Sequence, residues 1–97
     1  MDYTDAVVEL KESLVEYNIP GRMHFGIMSY ILDHKRPGDF LCSVISNNLK
    51  EAVGRADDEN VLLLQQYVRW FYNYAPSPCW GSAEKMRDWL IQENINA

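Results

Sequence analysis

Two cysteines and two histidines are all that this 97-residue chain offers to a metal or a redox couple. Cys42 and Cys79 stand far apart and match no zinc-ligand spacing, and with His24 and His34 they form no Cys-x-x-Cys or His-x-x-x-His pair. The thiols are expected to be reduced and buried. No run approaches the roughly 18 apolar residues of a membrane span, and the N-terminus lacks the basic and apolar regions of a signal peptide. A soluble, intracellular protein is therefore expected. Gly21, Gly26, Gly38, Gly54 and Gly81 each fall at a separate turn or helix junction, so they do not form a phosphate-cradling loop. His24 and His34 have only Asp33 close by in sequence, and no Ser or Cys with a nucleophile's local signature accompanies them. They read as surface or helix-end residues, and no catalytic, cofactor-binding or metal-ligating residue is assigned.

The most telling shortage is of positive charge near the start. Residues 1–18 hold five acids against Lys11, a balance of −4, whereas residues 19–56 carry +2 and residues 57–97 carry −3. Asp2, Asp5, Glu9, Glu12 and Glu16 recur at intervals of three and four, so a helix over 2–17 places all five on one ridge. At 1.5 Å of rise per residue, neighbouring carboxylates are spaced by roughly 5 Å, of the same order as phosphates along a nucleic-acid strand. Lys11 lies well round the helix from them. Like charges at this spacing cost a few tenths of a kcal/mol each. The ridge is either the solvated face of an amphipathic helix or a surface that meets a basic partner.

A hydrophobic fraction of 47% in 97 residues supports one compact domain with one core. The apolar spacing predicts an all-α fold of about five helices. The first buries Tyr3, Val7, Leu10, Leu14 and Tyr17, with Thr4 or Asp5 as its cap, and ends at Asn18 before Pro20-Gly21. The second runs from about Arg22 to Asp33, with Met23, Ile27, Met28, Ile31 and Leu32 inward and Gly26 allowing close packing. The third starts at Asp39, buries Leu41, Val44, Ile45, Leu49, Ala52 and Val53, and stops at Gly54. The fourth starts at Asp57-Asp58-Glu59 and carries Val61, Leu64, Tyr67, Val68, Phe71 and Ala75. Leu62, Leu63, Trp70 and Tyr74 make its other sides apolar, which predicts a central, largely buried helix. Pro76-Ser77-Pro78-Cys79-Trp80-Gly81 is a rigid loop, after which Ser82 caps a last helix with Met86, Trp89 and Leu90 inward. Nothing alternates with a period of two for long enough to form a sheet.

Two further clusters bear on function. Tyr67, Trp70, Phe71, Tyr72, Tyr74 and Trp80 are mostly core in character, but Tyr72 points away from the shared side and, with Trp80, is a candidate partner-binding surface for stacking or anchoring. Ser43, Ser46, Asn47, Lys50 and Arg55 give the third helix a polar side like that of a helix-turn-helix, which favours a small dimeric DNA-binding regulator as the alternative. The net charge of −5 opposes direct nucleic-acid binding.

The segments Phe25-Gly26-Ile27, Tyr30-Ile31, Pro37-Gly38-Asp39-Phe40-Leu41, Asn47-Asn48-Leu49, Gly54-Arg55-Ala56-Asp57 and Trp80-Gly81-Ser82 resemble a group of small proteins encoded by bacteriophages and prophages. The resemblance spans about residues 19–91 and brings no established activity. It implies a cytoplasmic protein of the bacterial host cell and, by analogy, an anti-CRISPR or other anti-defence role without enzyme activity. The expected partner is a host nucleic-acid-handling protein with a basic groove, met by Asp2, Asp5, Glu9, Glu12 and Glu16, with Tyr72 and Trp80 as further contacts and a homodimer admitted.

Overall fold

The chain folds into helices alone over residues 3–96, the part described by the computed structural model. Their order is α1 (Tyr3–Glu16), α2 (Gly21–Asp33), α3 (Asp39–Ile45), α4 (Leu49–Arg55), α5 (Asp58–Leu62), α6 (Leu64–Tyr74), a 3₁₀ turn at Ser77–Cys79, and α7 (Ala83–Asn96). Asp2 and the Tyr3 side chain lie outside the described residues. Seven α-helices replace the expected five because the third and fourth predicted helices are each broken.

The first break is made by asparagine. Asn47 takes φ 62°, and the Asn47 and Asn48 amides donate back to the carbonyls of Val44 and Ser43 (3.1 and 2.9 Å), closing α3 as a glycine usually does. Asn48 Oδ1 then accepts the Glu51 amide at 3.2 Å and opens α4. Asn18 ends α1 in the same way, with φ 61° and the Ile19 amide bonded to the Leu14 carbonyl. The second break is a tight turn at Leu63, where Asp57 Oδ1 already caps α5 through the Asn60 amide. Across it the Tyr67 hydroxyl donates to Asn60 Oδ1 at 2.5 Å, both residues being buried.

The core holds Leu14, Ile27, Tyr30, Ile45, Tyr67, Trp70, Phe71 and Cys79 without solvent exposure. Helix α1 packs across α2 and α6, α3 pairs with α4, and α7 closes on α3 and the 3₁₀ turn. Helix α6 is amphipathic rather than enclosed: Tyr67, Trp70 and Phe71 are buried, while Gln65, Val68, Arg69, Tyr72 and Asn73 face solvent. Leu62 and Leu49, read as apolar-side residues, are 81% and 68% exposed, and Val53 and Val61 are exposed too. Once each long helix breaks, the periodic stripe that joined these residues to the core no longer points one way.

His24 is buried rather than superficial, its Nε2 donating to the Ile19 carbonyl at 2.7 Å. His34 sits at the end of α2 with φ 57°, lies against the Trp89 ring and donates from Nδ1 to the Trp89 carbonyl at 2.8 Å. Cys42 and Cys79 are free and buried. Among the described residues no helix is long and apolar enough to cross a membrane.

Candidate functional site

Helix α1 is held to the core by its own polar residue. Ser13 is buried, donates to the Leu10 carbonyl at 2.7 Å and accepts the Trp70 indole N–H at 2.8 Å. A second link runs from the Asn73 amide to the Tyr17 hydroxyl at 3.1 Å. With Ser13, Leu14 and Leu10 turned inward, helical geometry turns the opposite side outward, and Asp5, Glu9, Glu12 and Glu16 are all exposed along it. Thr4 and Asp5 already lie within the helix, so neither is its cap.

Among the described residues no ion pair engages Glu9, Glu12 or Glu16. Two arginines elsewhere are engaged with acids of their own. Arg22 bridges Asp57 and Glu59 at 2.8 Å each, and Arg55 bridges Glu51 at 3.0 Å and Asp39 at 3.3 Å. The Tyr74 phenol registers the uncompensated field: Glu16, ahead of desolvation, Tyr17 and Glu9, holds it above its ordinary range. The tertiary fold adds a cation that the α1 sequence did not contain. Arg69 lies 5.8 Å from the centre of the Tyr17 ring and shares a hollow of about 180 Å³ with Glu16, Tyr17 and Gln66. The ridge is thus tempered at its Glu16 end. On its other flank Val8 and Val15, one heptad apart, are 50% and 61% exposed. They complete a face that mixes charge with apolar surface.

The second expected surface forms where the chain turns from α6 into α7. Tyr72 is 77% exposed, Trp80 is half-buried, and their rings meet edge to face at 6.0 Å and 73°. The loop that positions Trp80 is pinned at two points: the Tyr30 hydroxyl donates to the Cys79 carbonyl at 2.5 Å, and the Gly81 amide donates to the Ile45 carbonyl at 2.7 Å. Gly81 has φ +110°, the one place in this loop where a side chain is strained. Ser82 Oγ then accepts the Lys85 amide at 3.1 Å, and the first turn of α7 brings Lys85 to the same corner. Tyr72, Ala75, Ser77, Trp80 and Lys85 line an open cavity of about 380 Å³.

The polar side expected of the third helix is not assembled for reading base edges. Ser43 is buried and bonds the Asp39 carbonyl, Ser46 bonds the Ser43 carbonyl, and Asn47 and Asn48 form the turn between α3 and α4. Lys50 and Arg55 therefore lie on a different helix from the serines. Among the described residues no three His, Cys, Asp or Glu side chains gather as metal ligands.

Periodicity pointed to the exposed acids of α1 that the structure describes, and the aromatic block pointed to exposed Tyr72 and half-buried Trp80, but neither signal marked Val8, Val15, Ser77 or Lys85. The last was signalled only by its place three residues after the capping Ser82. Comparison of the chain with protein-family models, with curated proteins and with solved structures finds no match.

Proposed function

We propose that this protein is a stoichiometric inhibitor that lays the acidic face of α1 into a Lys/Arg-rich groove of a host nucleic-acid-handling defence protein, in the manner of a phage anti-CRISPR. The observation that carries the reading is the exposure of Glu9, Glu12 and Glu16 without an ion-pairing partner among the described residues, beside exposed Val8 and Val15. In such a groove the carboxylates replace phosphates and speed encounter, while the valines supply apolar contact. The Ser13–Trp70 bond fixes the helix, so little ordering is required on binding.

The test is displacement of labelled guide or target nucleic acid from purified CRISPR effectors, followed by fluorescence anisotropy. The wild type displaces the probe, less so as salt rises, and Glu9→Lys with Glu12→Lys weakens displacement by at least ~30-fold, about 2 kcal/mol. The double variant should fold normally, because both positions are exposed. Undiminished displacement by that variant overturns the acidic-face mechanism, and failure of the wild type to displace any effector overturns the anti-CRISPR assignment.

A further inference from the structure

The corner between α6 and α7 differs in charge from the acidic face of α1. Its lining residues include no carboxylate, and the one charged residue among them is Lys85. Three of its polar groups are also unspent. Trp70 and Trp89 donate their indole N–H groups to Ser13 Oγ and the Tyr30 carbonyl, both at 2.8 Å, but the Trp80 N–H has no acceptor among the described residues. The Ser77 hydroxyl and the Lys85 ammonium likewise have no partner among them. Trp80 is only half-buried, and its nitrogen is not among the enclosed atoms that lack a bond. These groups are therefore accessible donors beside two aromatic rings packed edge to face.

We infer that this corner binds a proline-rich segment of a protein partner, in polyproline II conformation, that carries an acidic residue next to its prolines. Such a segment has no internal hydrogen bonds, so its carbonyls are free acceptors for the Trp80 N–H and Ser77. Its rings pack against aromatic walls at low entropic cost, the established mode of proline-rich recognition. Lys85 matches one carboxylate. A nucleotide also offers a flat ring and acceptors, but its phosphate carries about two negative charges and would meet a single lysine on a protein of net charge −5. The occupant with one negative charge is the better match.

The inference is independent of the acidic face of α1. It is tested by following the Trp80 indole N–H resonance while titrating a capped octaproline peptide with one central glutamate, its glutamine analogue, and AMP. The glutamate peptide should shift the resonance with saturation on the order of 100 µM. Trp80→Phe, followed through backbone resonances, should weaken binding roughly three- to tenfold through loss of the indole donor. Lys85→Met should abolish the preference for glutamate over glutamine, roughly two- to fivefold. Tyr72→Ala removes a wall at an exposed position and should also weaken the peptide, whereas Glu9→Lys with Glu12→Lys should leave its affinity unchanged. No shift with either peptide at about 1 mM overturns the proposal. So does a shift with AMP alone, which would reassign the corner to nucleotides.

Discussion

Removing the Ser13 hydroxyl isolates the contact that seats α1 on the core. Trp70 has no solvent exposure and Ser13 is 4% exposed, so in Ser13→Ala the indole N–H, at 2.8 Å from Ser13 Oγ in the wild type, has neither a protein acceptor nor bulk water. An orphaned buried donor costs about 1–3 kcal/mol. The better helix propensity of alanine returns about 0.5 kcal/mol. A net loss of about 1–2 kcal/mol is expected, equivalent to a fall in Tm of roughly 4–16 °C for a domain of this size. Trp70→Phe also leaves a cavity, so the hydrogen bond is best read from a double-mutant cycle in urea, where the cavity cost is common to both backgrounds. The coupling between the two substitutions should exceed about 1 kcal/mol. A coupling below about 0.3 kcal/mol would show that the bond does not hold α1 in place, and the preorganised acidic face would lose its physical basis.

Two more outcomes follow from burial. The Cys79 thiol is pushed up to about 12 by desolvation, Cys42 is raised for the same reason, and burial lifts the Tyr30 and Tyr67 phenols above their ordinary 10.0. The native state therefore keeps protons that the unfolded chain releases. Stability should be intact well below pH 9 and fall as pH rises, first through the thiols and then, above pH 10, through the phenols as well; Cys79→Ala should reduce the slope between pH 9 and 10 by about 1 kcal/mol per pH unit. An unchanged slope in urea titrations across that range would contradict this assignment. Separately, a Cβ at Gly26 would meet Leu41 Cδ1 at 3.4 Å and Pro37 Cβ at 4.0 Å, which is contact without serious overlap. Gly26→Ala should raise the unfolding free energy by less than about 1 kcal/mol, and with it the urea midpoint, and Gly26→Val should lower both.

The helical class, the first two helices and the last were legible because their apolar stripes run unbroken between strong stops. The middle of the chain was not, because its breaks are made by residues that carry no fixed meaning. Asn47 read as a solvent-facing polar residue and Asn48 carried no signal of its own, yet the first takes a left-handed backbone and the second caps α4. That misreading turned Leu49 and Val53 inward and lent the third helix a polar side that the fold does not present. Leu63 offers even less to a sequence reading, since its turn is spanned by the Tyr67–Asn60 side-chain bond and holds no Pro or Gly. The site followed the same logic. Exposure of the acids followed from spacing within one helix, but the approach of Arg69 to Glu16 depends on how α6 lies beside α1, and Lys85 reaches Trp80 only through the loop between α6 and α7.

The loop after α6 also relates the two surfaces. Pro76 lines a hollow of about 240 Å³ with Glu9, Leu10 and Tyr74, while the next residue, Ser77, lines the aromatic corner with Lys85. A mostly apolar opening edged by Glu9 and an aromatic one edged by Lys85 therefore lie on either side of two consecutive residues. A partner that presents a basic groove next to an acidic, proline-rich strand would meet both with the correct sign; a partner with those features exchanged would meet both with the wrong sign. Two weak contacts so arranged enforce one orientation, and joining them in a single partner raises affinity through effective concentration without any new contact. The consequence is measurable. If one partner engages both surfaces, Lys85→Met and the Glu9→Lys, Glu12→Lys pair should each weaken that complex, and their combined effect should fall short of the sum, because loss of either contact removes the effective-concentration advantage of the other. If the surfaces serve separate partners, each change should affect one complex and leave the other as it was.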